Sequence, residues 1–308
     1  MEMAFTAQDV KTLRERTGVG MMDCKKALTE SGGDMDKAID ILREKGLAAA
    51  AKKSGRIAAE GMVYATVDEA KKVGVVVEVN AETDFVAKNA EFQALVKGAA
   101  KAVAACNPKD VEALKACKFE DTEFTVEDIL REKILKIGEN MNIRRFTRLE
   151  GTCVSYVHGG GSHAAMVLCD VADPQNEKFK EAARNVCMQI VAMTPDYLCP
   201  EEVPAEVVEN EKNILLAQIK NDPKNANKPE AILEKMIGGK ISKFYNERCL
   251  LNQAYVKDDK ITVGEYLRQV GKEIGSEITI KQFVAYEKGE GMEKRVDDFA
   301  GEVASMSK

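Results

Sequence analysis

EGMVYATVDEAKKVGVVVEV occupies residues 60–79, and its pattern returns as EGTCVSYVHGGGSHAAMVLCDV at 150–171. Each copy opens on Glu-Gly, runs through a half-apolar strand, turns through polar or glycine-rich residues and ends in a strongly apolar strand. A helical pattern follows each: EFQALVKGAAKAVAA (91–105) after the first, EKFKEAARNVCMQIVA (177–192) after the second. Phe92, Leu95, Val96 and Val103 share one face of the first helix; Phe179, Ala183, Val186 and Ile190 share one face of the second. Hairpin then helix, twice over, predicts two half-domains of small antiparallel sheets with helices, an α+β fold.

Outward from the first copy, residues 5–46 read as three short helices. Thr6 and Asp9 resemble a capping box ahead of the stripe Val10, Leu13, Thr17. Gly18 and Gly20 break that helix. Met21, Cys24 and Leu28 line a second, closed by Gly32 and Gly33. Asp34 or Asp36 starts a third, with Met35, Ile39 and Leu42 inward and Gly46 as its stop. Such a module is too small for an enzyme site, and docking suits it. LAAAAKKSGR (47–56) follows as an Ala-rich, basic connector without an apolar stripe.

Downstream, a charge-rich segment at 110–140 joins the copies, and KILKIGENMNIRRF leads into the second. PAEVVENEKNILLAQIK (204–220) and a helix after Pro229, with Leu233, Ile237, Ile241 and Phe244 on one side, flank the polar loop NDPKNANK. They predict an antiparallel helical hairpin inserted into the second half and packing on itself or on another subunit. TVGEYLRQVG (262–271) reads as a capped helix, and EITIKQFVAYE (277–287) as the strand completing the second sheet. Val296, Phe299 and Val303 have helical spacing near the C-terminus. The resulting division is 1–55 (docking module and linker), 56–148 (first core half), 149–200 with 250–290 (second core half), 201–249 (insertion) and 291–308 (C-terminal helical module).

The chain has 308 residues, 31% of them charged, and a net charge of −6. That balance excludes wholesale disorder and gives no drive toward nucleic acid or anionic membrane. No apolar run approaches the roughly 20 residues needed to span a bilayer. MEMAFTAQDVK resembles neither a signal nor a transit peptide, so the expected location is the cytoplasm. Eight cysteines, none in a CxxC pair, read as reduced and mostly buried.

Catalytic chemistry has little to stand on. Cys153, His158, His163 and Cys169 suggest a zinc set, yet on a strand Cys153 and His158 have opposite parity, and no short chelate pair is present. GGGSH (159–163) lies between two strands, where it serves a hairpin better than a phosphate cradle. Neither metal nor cofactor is expected. Two places invite a binding role. Met21 and Met22, adjacent beside a Gly-x-Gly turn, cannot both fill a small core; one is expected at the surface. TDFVAKN (83–89) follows the apolar strand. Thr83 is placed to cap a turn starting at Asp84, and Phe85 stands seven residues before Phe92. An uninterrupted helix buries both rings, whereas a second cap at Asn89 splits the segment and turns Phe85 outward. Spacing leaves both open.

LRERTGVGMMDCKKAL (13–28), EVNAETDFVAKN (78–89), KIGENMNIRR (136–145) and GEGMEKRVDDFAGEVASM (289–306) closely resemble the elongation factor Ts family, guanine-nucleotide exchange factors for elongation factor Tu. The resemblance implies a ubiquitin-associated-like N-terminal module, a two-part core, and a helical hairpin used for a homodimer or 2:2 complex. It places partner contact and magnesium dislocation on Thr83, Asp84, Phe85 and Val86, and further contacts on Arg14, Met21, Met22 and His158. The implied partner is elongation factor Tu, with no direct nucleic acid and no membrane. The implied activity is nucleotide release without bond chemistry. Competing readings are a polypeptide-binding scaffold without exchange activity and, behind it, a metal- or thiol-dependent hydrolase using Cys153 and His158.

Overall fold

Every residue of the strand Val73–Ala81 is buried. A sheet with one wet face would bury alternate residues, so this strand must be covered on both sides. The computed structural model describes residues 5–17, 19–221 and 229–293 (backbone only at 230 and 231) and shows what covers it. Gly18 and the C-terminal stripe of Val296, Phe299 and Val303 lie outside the described residues.

Along the chain, helices α1 (Ala7–Thr17), α2 (Met21–Glu30) and α3 (Met35–Lys53) precede strands β1 (Glu60–Asp68) and β2 (Val73–Ala81). Helices α4 (Asp84–Ala87), α5 (Ala90–Cys106), α6 (Val111–Lys115) and α7 (Val126–Ile137) lead to β3 (Met141–Glu150), β4 (Thr152–His158) and β5 (His163–Asp170). Then come α8 (Glu177–Met193), α9 (Ala205–Asn221), α10 (Glu230–Arg248), β6 (Ala254–Tyr255), β7 (Asp258–Thr262), α11 (Val263–Ile274) and β8 (Thr279–Glu287). The fold is α+β, with helices and small antiparallel sheets.

Strands β1, β2 and β3 form one antiparallel sheet in that order; β4, β5 and β8 form another. Odd-numbered valines of β2 (75, 77, 79) pack with Phe92, Leu95 and Val103 of α5, while Val76 faces Ala164 and Met166 of β5 across the sheet interface. On the far side, Ala165 and Val167 of β5 pack with Phe179, Val186 and Ile190 of α8. The sheets are thus stacked between helical layers. Both apolar strands are covered on each face, which is why their sequences run apolar rather than alternate.

The repeat holds in its hairpins and helices but not at its second Glu-Gly. Gly61 lies inside β1, whereas Glu150 ends β3 and Gly151, at φ 130°, is the junction at which the chain leaves the first sheet for the second. KILKIGENMNIRRF, expected to lead into the second copy, instead ends α7 and begins the third strand of the first sheet.

The Thr6–Asp9 capping box forms: Thr6 N–H donates to Asp9 Oδ2 at 2.7 Å, and Asp9 N–H to Thr6 Oγ1 at 3.2 Å. Asp34 caps α3 through the backbone N–H groups of Asp36 and Lys37. Two expectations need correction. Gly46 does not stop α3, which runs on to Lys53. Gly46 is buried inside the helix against α7, where even an added Cβ would make only ordinary contact, 3.6 Å from the Arg131 carbonyl oxygen. Met21 is not inward either; Cys24, Ala27 and Leu28 make the buried face of α2.

Helix α9 packs against α10, and residues 222–228, where the polar loop was expected, lie outside the described residues. Ile241 is buried and Leu233, Ile237 and Phe244 are half-buried, while Ile214 and Ile232 are exposed. Among the described residues no helix is long and apolar enough to cross a membrane.

Candidate functional site

TDFV does not continue into the following helix. Helix α4 is a single turn, closed where the N–H groups of Lys88 and Asn89 donate to the carbonyls of Phe85 and Val86. Asn89 then takes an extended backbone and its Oδ1 accepts from Glu91 N–H at 2.8 Å, starting α5 afresh. This break shifts the helical phase by the residues it consumes. Phe92 is fully buried, and Phe85 is 77% exposed, further out than the other exposed large hydrophobic side chains among the described residues. Val86 is buried beneath the turn in the first core and anchors it.

Charge surrounds the ring. Lys88 Nζ stands 5.6 Å from the ring centre and pairs with Asp84 at 3.0 Å. That hydrogen bond is the main reason the Asp84 carboxyl sits below its ordinary value, with Lys288 adding to the effect. Thr83 does not do what its position suggested: its side chain makes no capping bond to α4. Its N–H donates instead to Glu139 Oε2 at 3.0 Å, and its hydroxyl to Glu139 Oε1 at 2.7 Å. The next residue in each direction returns the contact, Asn140 N–H donating to Glu82 Oε1 at 2.6 Å. Neither glutamate was singled out from sequence. The signal was present in KIGENMNIRR, whose Gly138 ends α7 in the left-handed region just before Glu139.

His158 is exposed at the tip of the β4–β5 hairpin, directly opposite His163, with its Nδ1 2.8 Å from the Tyr156 hydroxyl. The glycines at 159–161 have φ of 55°, 66° and 102° and form that turn, as the hairpin reading expected. Gly161 accepts from Val63 N–H of β1 at 2.8 Å, and Ser162 accepts from Lys288 N–H. Lys288 pairs in turn with Glu60 at the start of β1. The hairpin tip and α4 both pack against β1, so His158 and the Phe85 turn belong to the same end of the stacked sheets. Arg14, Met21 and Met22 lie on α1 and α2 of the helical module; all three are exposed, the methionines at 51% and 65%.

A buried ion-pair cluster centres on Glu78 of β2. Glu78, on the face of β2 directed at the second sheet, is 0% exposed. The β2–β3 register shifts beside it, and Arg144 and Arg145 both reach its carboxylate, at 3.1 and 2.6 Å. Gly289 N–H and Asn80 Nδ2 donate to Oε1 at 2.8 and 3.1 Å. Burial alone would raise this carboxyl, but these donors hold it below its ordinary value.

The proposed Cys153–His158 chemistry has no geometry to support it. Cys153 is buried between the sheets, its thiol pushed up to about 11 by burial, while His158 is exposed on the other face of its strand. Among the described residues no three His, Cys, Asp or Glu side chains are grouped to hold a metal.

Comparison with known proteins assigns the family. The model of the family "Elongation factor TS" matches residues 82–290. The chain is 48% identical over 309 residues to "Elongation factor Ts" of Syntrophotalea carbinolica, covering 99% of this chain and 100% of that protein. It is 51% identical over 307 residues to the protein of that name from Clostridium perfringens, covering 98% and 99%. With Clostridium kluyveri the figure is 49% over 303 residues, 97% of each. The chain belongs to the elongation factor Ts family of translation elongation factors.

Proposed function

We propose that the chain binds elongation factor Tu carrying GDP and promotes GDP release, allowing GTP to rebind. Phe85 is the wedge. The observation that carries the reading is a ring 77% exposed on a turn whose next residue, Val86, is fixed in the core. Leaving a phenylalanine in water forgoes roughly 1.5–3 kcal/mol of burial free energy. A partner that buries the ring only in its nucleotide-free shape recovers that amount in that state. By linkage its nucleotide affinity falls by the same factor, roughly tenfold to a hundredfold at about 1.4 kcal/mol per decade. Thr83 and Asp84 share the contact, which disturbs the magnesium and phosphate site of the partner; Val86 contributes by holding the turn. No bond is made or broken.

Arg14, Met21 and Met22 on a ubiquitin-associated-like module, and His158 at the hairpin tip, supply further contact that holds the two proteins together while nucleotide leaves. Methionine suits such a surface because its flexible, polarizable side chain adapts to a partner. Helices α9 and α10 act as a hairpin available for a homodimer or a 2:2 complex, using exposed Ile214 and Ile232. The working location is the cytoplasm, with no direct contact to nucleic acid or membrane.

Phe85→Ala tests the wedge. Release of a fluorescent GDP from elongation factor Tu is expected to slow about tenfold or more, while circular dichroism and thermal midpoint stay at parental values. Parental exchange rates in a folded variant would overturn the wedge. Absence of any association with elongation factor Tu would leave the polypeptide-binding scaffold as the better reading.

A further inference from the structure

Resting on that reading, we infer that Glu139 is a positioning residue for nucleotide exchange: from the loop after α7 it holds the TDFV turn in the pose that presents Phe85. A helix of one turn does not support itself, because nucleation fixes several backbone angles for a single hydrogen bond. Helix α4 also lacks the side-chain cap that would compensate, since the hydroxyl of Thr83 is committed elsewhere. What fixes its leading end is the Glu139 carboxylate, which accepts both the N–H and the hydroxyl of Thr83. Charge-assisted bonds of this kind are the stronger sort.

The clasp is reciprocal. Glu82, adjacent to Thr83, accepts from the N–H of Asn140, adjacent to Glu139. Asn140 Nδ2 donates to the Arg56 carbonyl at 2.8 Å, and Arg56 Nη1 lies 3.4 Å from Glu82 Oε1. Three segments therefore meet at the base of the turn: the chain entering β1, the strand end before α4 and the loop between α7 and β3. Val86 in the core and Asn89 at the head of α5 fix the trailing end of the turn. Glu139 does not itself reach the partner; it limits where Phe85 can be.

A positioning role predicts a loss in the exchange step larger than any loss in association. Glu139→Ala should lower the maximal rate of fluorescent-GDP release from elongation factor Tu about tenfold, as expected for losing a charge-assisted anchor. The concentration giving half-maximal rate should move little. Glu139→Gln, which keeps one carbonyl acceptor for Thr83, should recover part of the rate. Thr83→Val, which keeps the N–H bond and loses the hydroxyl, should fall between, so the test survives if the alanine variant folds poorly. In a Phe85→Ala background, Glu139→Ala should cause a clearly smaller further loss, because only the Thr83 and Asp84 contacts remain to be misplaced.

Parental exchange by folded Glu139→Ala, or an equal further loss without the Phe85 ring, overturns the positioning role. If Phe85→Ala slows exchange and Glu139→Ala does not, this inference fails and the wedge stands. If Phe85→Ala itself exchanges at the parental rate, the wedge fails first and takes the positioning role with it.

Discussion

Glu78→Gln removes one negative charge from a site with no solvent exposure. The amide is nearly the same size, so the change is electrostatic. It keeps one carbonyl acceptor, enough for Gly289 N–H or for one arginine but not for the present set of donors. Taking one partner from a buried ion pair costs about 3–5 kcal/mol when the other stays buried. Arg144 and Arg145 side chains remain 26% and 30% exposed and recover some hydration, which places the expectation near the bottom of that range, about 3 kcal/mol. Urea unfolding of parent and variant between pH 7 and pH 3 measures the difference. The folded carboxyl lies below its ordinary 4.5, so the unfolded state takes up its proton first as pH falls. The stability due to Glu78 is therefore full above about 4.5 and is lost as pH drops through the lower folded value. Parent and variant should differ by a constant amount from pH 7 to about 5 and converge below 4.5. A parent that loses this advantage already above pH 5 would show that burial outweighs the arginines, and the account of the cluster would be wrong.

Thiol reactivity should divide the cysteines by burial. Under native conditions near neutral pH, a thiol reagent should label exposed Cys106 first. Cys153, at about 11, Cys169, at about 12, and Cys187 should react only on unfolding, because burial keeps all three protonated and covered. Mass spectrometry after brief labelling reads the sites, and fast native labelling of Cys153 would contradict the stacked sheets. Gly161→Ala should destabilise by about 1–3 kcal/mol, since φ is 102° and the new methyl would stand 2.7 Å from Met62 Cβ. Hydrogen exchange at Val63, whose N–H donates to Gly161, should quicken with it, and unchanged protection there would count against the docked hairpin.

Period and parity made much of the core legible. VGVVVEV and AAMVLCDV are short apolar runs, and hairpin-plus-helix repeated twice gave the antiparallel sheets and the helices α5 and α8 that cover them. Glycine was the weak point. Gly32 and Gly33 do end a helix, but Gly46 sits inside one, in the part of α3 that packs on α7. The second Glu-Gly looked like the first, yet Gly151 joins two sheets. Local sequence cannot say whether a glycine ends a helix or lies within one, because what carries α3 past Gly46 is packing on α7, far along the chain.

The Phe85 site was legible to the same depth. Periodicity named the ring and offered two poses, one with Phe92 in the core and one outward through a cap at Asn89. What decides between them is partly local, the Asn89 side chain on Glu91 N–H, and partly distant, the Glu139 carboxylate on Thr83. Without Glu139, Thr83 would be free to cap α4 in the ordinary way, and the turn would have less to fix its direction. The exposed ring and the half-buried clasp thus make one physical unit. A side chain can serve as a wedge only if it fails to relax inward, and a phenylalanine in water has every hydrophobic reason to do so. Rigid hydrogen bonding at the base of the turn, together with the buried Val86, resists that relaxation. In sequence the site therefore reads as an aromatic between a charged residue, Asp84, and an apolar anchor, Val86, with the Glu139 carboxylate contributed from a distant loop.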